Sequence, residues 1–383
     1  MQYSICFKRA LAGAILLSAT TFSISSSWQQ KAQNDEKTLT NVPKHPIEYS
    51  PEEYVAYRTD GPIAVDGNLT EKEWGQIPWT NGFRDIEGEL KPAPLFQTRA
   101  KMAWDDENMY FAFEIKEPHI WGEITDRDAV IFHDNDIEIF IDPDGDTHEY
   151  MEWELNALNT VWDLLLTKPY RDPKMRVLDT WTIRGQKTAV KVYGTLNNPN
   201  DTDDKWTVEV AFPWDDISEA AQHSGAPLNG EQWKIGFSRV NWQVDAKNGE
   251  YKKKRNPETG KDYSEFNWTW SAQGRIAMHQ PETWGIVQFA DQPAGKGPAP
   301  EIDTKVDRLK WAMRQIYYRQ NAFNEEHGVY AGSASQLKLD DVTAEGLEFA
   351  PTFTVFNNRW EAKQISYNGK SIFIRKDGKV WEE

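Results

Sequence analysis

The stretch Thr98-Arg-Ala-Lys-Met-Ala-Trp104, Asp105-Asp-Glu-Asn108, Met109-Tyr-Phe-Ala-Phe-Glu-Ile115 decides the fold. Ala100, Met102 and Trp104 alternate along its first arm, and Met109, Phe111, Phe113 and Ile115 along its second. Alternation with a period of two places each set on one face of an extended strand. The polar residues between the arms are turn formers, because Asp and Asn side chains bond their own backbone. Two such arms around a turn make an antiparallel hairpin.

The same pattern continues outward. Ile137-Glu-Ile-Phe-Ile141 enters Asp142-Pro-Asp-Gly-Asp146, and Tyr150-Met-Glu-Trp-Glu-Leu-Asn156 leaves it. Residues 187–192, 206–212, 233–242 and 284–289 read as further strands. Many strands, separated by turn clusters and with few helical periods, predict an all-β fold. The expected form is a two-sheet β-sandwich of the immunoglobulin or jelly-roll kind over residues 51–290. Residues 291–302 are a Pro/Gly linker. Beyond it Val306, Leu309, Met313, Ile316 and Tyr317 follow helical spacing, which predicts an amphipathic helix over 304–326. Thr304 with Asp307 resembles a capping box, and His327-Gly328 is a stop. Residues 371–375 and 379–381 flank Asp377-Gly378, a hairpin signal. Residues 303–383 are therefore a small helix-plus-β extension, whose role the sequence does not state.

The N-terminus reads as an address. Lys8 and Arg9 precede the apolar run Ala10-Leu-Ala-Gly-Ala-Ile-Leu-Leu17 and then small residues to Ser27. That order is a secretory signal over 1–27, and the apolar run is too short to span a bilayer. Export to the periplasm or the outside is expected, with 28–50 as a polar linker. The only cysteine, Cys6, lies in the leader, so the mature chain has no disulfide. Loss of the leader takes the formal charge from −17 to −19. Such acidity disfavours nucleic acid and anionic lipid, which reward basic clusters. No later stretch is apolar enough for a membrane span. The chain carries 18 Trp, more than a sandwich core uses. Flat apolar rings that also offer an N–H suit stacking against a ligand.

Five segments together resemble the family 9 carbohydrate-binding modules, which are related to DOMON-type domains. They are Ile63-Ala-Val-Asp-Gly67 with Glu71 and Glu73-Trp74, Trp104-Asp-Asp106 leading to Met109-Tyr-Phe111, and Asn135-Asp-Ile-Glu-Ile-Phe-Ile-Asp-Pro143. Trp206-Thr-Val-Glu-Val-Ala-Phe-Pro213 and Trp284-Gly-Ile-Val-Gln-Phe289 follow in the family's order. The resemblance covers about residues 55–290 and not the C-terminal extension. It implies a β-sandwich that holds sugar-chain ends, some members with calcium, often beside xylanases. It also implies a Trp pair that sandwiches the sugar. A match for the second ring is missing, and Met278 or His279 falls near its place.

A sugar site needs flat platforms and convergent polar groups. Trp121, Trp242, Trp268 and Trp270 lie off the regular core period and are the platform candidates. Glu152, Glu154 and Asn156 share one face of their strand, and Phe237, Arg239 and Asn241 share one face of theirs. The expected site is one sheet face carrying Glu154, Asn156, Arg239 and Asn241 with Trp rings at its flanks. The competing reading is a solvated face with an Arg–Glu pair. Asp142, Asp144 and Asp146 offer oxygen ligands for calcium, although the Gly is misplaced for an EF-hand and an ordinary acidic turn reads as well.

The expected function is capture of an oligosaccharide or polysaccharide, xylan among the options, in carbohydrate catabolism beside a glycan-degrading enzyme. No catalytic residues stand out. A glycoside hydrolase is the alternative, because acidic pairs are plentiful. A haem-binding sandwich is the third reading, with His119, His133, Met278 and His279 as axial candidates, but no Cys-x-x-Cys-His motif is present.

Overall fold

The computed structural model describes residues 37–247 and 249–383, so the leader expected over 1–27 lies outside the described residues. The sandwich strands are β1 (Glu53–Arg58), β2 (Arg84–Asp85), β3 (Thr98–Trp104), β4 (Asn108–Lys116), β5 (Asp136–Asp142), β6 (Tyr150–Asn156) and β7 (Val161–Leu166). There follow β8 (Val177–Leu178), β9 (Lys187–Tyr193), β10 (Lys205–Pro213), β11 (Gln232–Asn241), β12 (Val244–Lys247), β13 (Glu250–Lys253), β14 (Phe266–Thr269) and β15 (Gly285–Ala290). Two short helices, α1 (Lys72–Gln76) and α2 (Trp214–Ile217), lie among them.

One continuous sheet runs β8-β7-β6-β5-β11-β15-β1-β3-β4-β10-β9, with β14 on β11 and β2 on β14. The two expected sheets are thus the halves of one curled sheet. Trp153 of β6 meets Phe212 of β10 with ring centroids 5.5 Å apart, although these strands lie near opposite ends of the order. Phe237 of β11 likewise meets Phe111 and Phe113 of β4 at 5.8 and 5.1 Å. Such contacts require the halves to pack face to face. The strand β1 joins them, pairing in parallel with both β15 and β3. The predicted hairpin is the antiparallel pair β3–β4, in register from Thr98 opposite Ile115 to Trp104 opposite Met109.

The C-terminal unit is α3 (Lys305–His327) on a four-stranded antiparallel meander of β16 (Thr352–Phe356), β17 (Arg359–Ile365), β18 (Ser371–Arg375) and β19 (Val380–Glu382). Leu309, Met313 and Ile316 of α3 are buried against Trp360, Ile372 and Ile374 of the sheet. Gly328 ends the helix at φ 72°, a left-handed cap that favours glycine. Thr304 makes no side-chain cap bond and its hydroxyl accepts from Arg308 Nε at 3.1 Å, while Asp307 accepts from the Tyr49 hydroxyl at 2.6 Å and pairs with Lys234 at 3.0 Å.

The segment read as a linker over 28–50 is packed from residue 37 onward. Leu39 is fully buried in the C-terminal core, and its N–H donates to the Gln336 carbonyl at 2.8 Å. The N–H groups of Thr40 and Asn41 donate to the Glu326 carboxylate, and Tyr49 stacks on Trp311 at 4.2 Å. This strap ties the start of the described chain to its end. No helix among the described residues is long and apolar enough to cross a membrane.

Candidate functional site

The outer face of β11, β5, β6 and β7 is built in cross-strand rows. Ser238, Glu138, Glu154 and Trp162 lie opposite one another in one row. Gly236, Phe140, Glu152 and Leu164 form the next row, and Val240, Asp136 and Asn156 the row beyond. Period-two alternation sends all of these to the same side. The face has an apolar middle of Phe140, Tyr150, Leu164, Leu166 and Trp284. An acidic patch lies at each end.

At one end a cavity of about 280 Å³ opens over Glu138, Glu152, Glu154, Trp162 and Tyr170, with Met278 and His279 on its wall. Tyr170 is about half exposed and meets His279 edge-on at 4.3 Å. The Tyr150 hydroxyl bonds His279 Nδ1 at 2.9 Å, and Nε2 faces a Glu152 carboxylate oxygen at 3.7 Å. Burial, with help from Arg171, pushes the His279 pKa down to about 3. The imidazole is therefore neutral near pH 7, and its contact with Glu152 is not an ion pair. Burial and neighbouring carboxylates raise Asp136, Glu152 and Glu154 well above the usual carboxylate range. Burial likewise lifts Glu138 to about 7, with Glu265 adding to it. The Phe132 N–H donates to Glu154 at 3.0 Å.

At the other end the acidic turn after β5 meets the C-terminal unit. Lys310 of α3 donates to the carbonyls of Asp144 and Gly145, both at 3.0 Å, and Lys379 pairs with the Asp146 carboxylate. Arg314 donates to the Thr147 hydroxyl at 2.6 Å, and the Asp142 carboxylate accepts from the Thr147 N–H at 2.9 Å. Of the three residues of the calcium reading, whose oxygens lie within 4.8 Å of one another, Asp144 and Asp146 thus face ammonium groups, while Asp142 Oδ1 is buried without a hydrogen-bond partner. The turn acts here as a clamp for the C-terminal unit. Nearby, Arg171 pairs with Glu282 at 2.8 Å, and the Tyr318 hydroxyl donates to the same Glu282. Burial alone would raise Glu282, but Arg171 and Arg314 outweigh it and hold the carboxyl near 2.

The expected grouping of Glu154, Asn156, Arg239 and Asn241 on one face is corrected by the register. Arg239 lies opposite Ile137, so it and Asn241 point into the sandwich while Glu154 and Asn156 point out. Arg239 is fully buried, 3.1 Å from Glu117, donating to Thr98 and to Asn241, under the Trp268 ring at 5.0 Å. The Arg–Glu pair of the competing reading therefore exists, but inside the core. Asn156 is fully buried and spends its groups on Ile124, Asp134, Leu158 and Thr160. Among these polar candidates, Glu154 lines the cavity.

The Trp candidates are also relocated. Trp268 and Trp270 are 1% exposed. Trp270 packs on Phe237 at 5.5 Å and lies so close over Gly285 that a Cβ there would come within 2.3 Å of the ring. Trp121 is 4% exposed and borders a second cleft with His133 and Tyr251. Trp242 is partly exposed, but Lys253 lies 3.4 Å from its ring centre and its N–H donates to the Phe132 carbonyl at 2.8 Å. None of the four lines the cavity over β5–β7. The haem candidates are split, with His133 on one cleft and Met278 and His279 on the other.

Sequence reasoning missed Trp162 and Tyr170. Trp162, Leu164 and Leu166 alternate in Val161-Trp-Asp-Leu-Leu-Leu166, which is a strand signal. Tyr170 sits in a loop and carries no periodic signal.

A family model described as carbohydrate family 9 binding domain-like matches residues 65–292. The chain belongs to this family of carbohydrate-binding modules. No curated protein matches it. Among solved structures, one from Bacteroides uniformis, provisionally classed as carbohydrate-binding, is 15% identical with a TM-score of 0.46; the match covers 63% of this chain and 100% of that one. A family 9 module from Caldicellulosiruptor kristjanssonii in complex with cellotriose is 14% identical with a TM-score of 0.41, covering 65% and 100%. The same organism's module in complex with glucose gives 15%, 0.40, 64% and 100%.

Proposed function

We propose that this chain is an exported, non-catalytic sugar-binding protein that captures a glycan in the cavity over β5–β7, in carbohydrate breakdown beside a glycan-degrading enzyme. One observation carries the reading: in a chain of this family, Trp162 and Tyr170 border a cavity whose floor is the acceptors Glu138, Glu152 and Glu154. A sugar presents an apolar C–H face to rings, and hydroxyl groups that both donate and accept to carboxyl groups that can do the same, so both halves of the site have a match. Xylan-type and cello-type chains fit this chemistry equally.

Calorimetry with xylo- and cello-oligosaccharides, preceded by a glycan array, tests it. Binding that weakens in Trp162→Ala and in Tyr170→Ala supports the site. Binding untouched by both substitutions places it elsewhere, and no binding to any glycan on the array defeats the reading. The hydrolase alternative predicts reducing ends released from xylan or cellulose by the purified protein; none are expected.

A further inference from the structure

We propose that the C-terminal unit is a working part of the cavity over β5–β7: Tyr317 and Tyr318 of α3 are positioning residues that hold in place the loop carrying Tyr170. The role rests on the sugar reading of the cavity, whereas the ties themselves do not. The loop leaves β7 and returns as β8, and its neck is closed where the Thr167 N–H donates to the Arg176 carbonyl at 3.0 Å. Three consecutive residues at its tip have three destinations. Tyr170 borders the cavity and meets His279 edge-on at 4.3 Å. Arg171 pairs with Glu282 at 2.8 Å and donates to the His279 carbonyl at 3.3 Å. Asp172, which is buried, accepts from the Tyr317 hydroxyl.

The ties run from α3 to the Tyr170 ring in short steps. The Tyr318 hydroxyl donates to one oxygen of Glu282 and Arg171 to the other, so a single carboxylate joins helix to loop. Glu282 follows His279 by three residues, and His279 is the neighbour of Tyr170 in the cavity wall. The same bridge therefore fixes both sides of the contact between the two rings. Tyr317 adds a second tie one residue further along the loop. Its ring belongs to the C-terminal hydrophobic cluster, while its hydroxyl reaches Asp172.

Neither Tyr170 nor Met175, the large apolar side chains of the tip, belongs to a hydrophobic cluster among the described residues. A segment with few buried apolar contacts opens locally at small cost unless other bonds hold it. A stacking platform that swings away must first return, so the apparent affinity falls with the fraction of loops in place. The helix α3 lies beyond the residues 65–292 that match the family model. The extension thereby gains a task besides completing the fold: it sets one ring of a site that belongs to the sandwich.

The test compares the double variant Tyr317→Phe, Tyr318→Phe with the parent, both as full chains. Hydrogen exchange of the peptide covering residues 167–176 reads the loop, and calorimetry with xylo- and cello-oligosaccharides reads the site. Both substitutions keep the ring and remove the hydroxyl. Exchange in the loop is expected to rise about tenfold or more, the order that a hydrogen bond to a charged group contributes. Exchange in β6 and β7 should stay as in the parent. Affinity should fall about threefold or more as the open loop competes. In a Tyr170→Ala background the double substitution should add no further loss, because it acts through that ring. Tyr367→Phe removes a hydroxyl bonded to Asp303 elsewhere in the same unit, and should change neither quantity.

Loop exchange that stays at the parent level overturns the proposal. So does unchanged affinity in a loosened loop, and so does a loss as large without Tyr170 as with it, which is what a purely structural role of α3 would give. A parent that binds no glycan overturns the sugar reading and the positioning role with it, and the loop exchange separates that failure from a failure of the ties. If the double variant does not fold, Tyr318→Phe alone, at a half-buried ring, takes its place under the same outcomes.

Discussion

The two acidic ends of strand β5 make opposite arrangements from the same residue types. At the Asp142 end the turn is covered by the C-terminal unit, which brings Lys310, Lys379 and Arg314 against it. At the other end Glu138, Glu152 and Glu154 lie in a cavity floor beside the neutral His279, and among the described residues no Lys or Arg pairs with them. The chain can thus supply cations to buried acids where it needs a joint. Leaving the other end without them is costly to the fold, and such a cost is more readily retained for binding than for stability.

That contrast can be broken from the docked side first. Arg171→Ala takes the ion-pair partner from buried Glu282 and leaves it only the Tyr318 hydroxyl and the field of Arg314, and breaking a buried pair in this way costs about 3–5 kcal/mol. Chemical denaturation should show a loss of that size. A near-silent variant would mean that the joint does not depend on charge. The same pair sets an acid limit. Glu282 is held near 2 against an unfolded value of 4.5, so its contribution is complete above pH 4.5 and is lost as pH falls towards 2. Melting temperature should fall over that window in the parent and less steeply in Glu282→Gln. Lys379→Ala comes next. Its ammonium is partly exposed, so the loss should be nearer 1–2 kcal/mol, read by the same denaturation curve. The open end should respond in the other currency. Trp162→Ala should weaken glycan binding by roughly 1–2 kcal/mol, by analogy with stacking on bases, while stability changes little. A large loss of stability there would make Trp162 a packing residue and collapse the distinction between the ends.

Much of the fold was legible because alternation is local. The strand pair β3–β4, the helix α3 and its Gly328 stop all appear where the residue pattern put them. The site was only partly legible. Period two tells which residues share a face of one strand, but not which face of its neighbour lies beside it. That depends on register, and a slip of one residue reverses the answer. Glu154 and Arg239 were grouped by type and fell on opposite faces for this reason. Trp268 and Trp270 were read as platforms because they lie off the regular core period, yet β14 adds to β11 and Trp268 within it and Trp270 just beyond it are both buried. The strap over 37–50 was hidden for a different reason. Its sequence is polar and irregular, and its order comes from Leu39 and Tyr49 meeting residues hundreds of positions away.

That strap also bears on the order in which the molecule can assemble. Thr40 and Glu326 are 286 residues apart, so their contact closes a loop that spans the whole sandwich. The entropy of such closure grows only slowly with length, but contacts this remote slow folding when they must form early. The β-sandwich should therefore come together first and shorten the gap, leaving the strap to seal the C-terminal unit last. A fragment begun at Pro51 would keep every sandwich strand and still lack the piece that completes the far end. Its refolding should show a normal first phase and a missing final one.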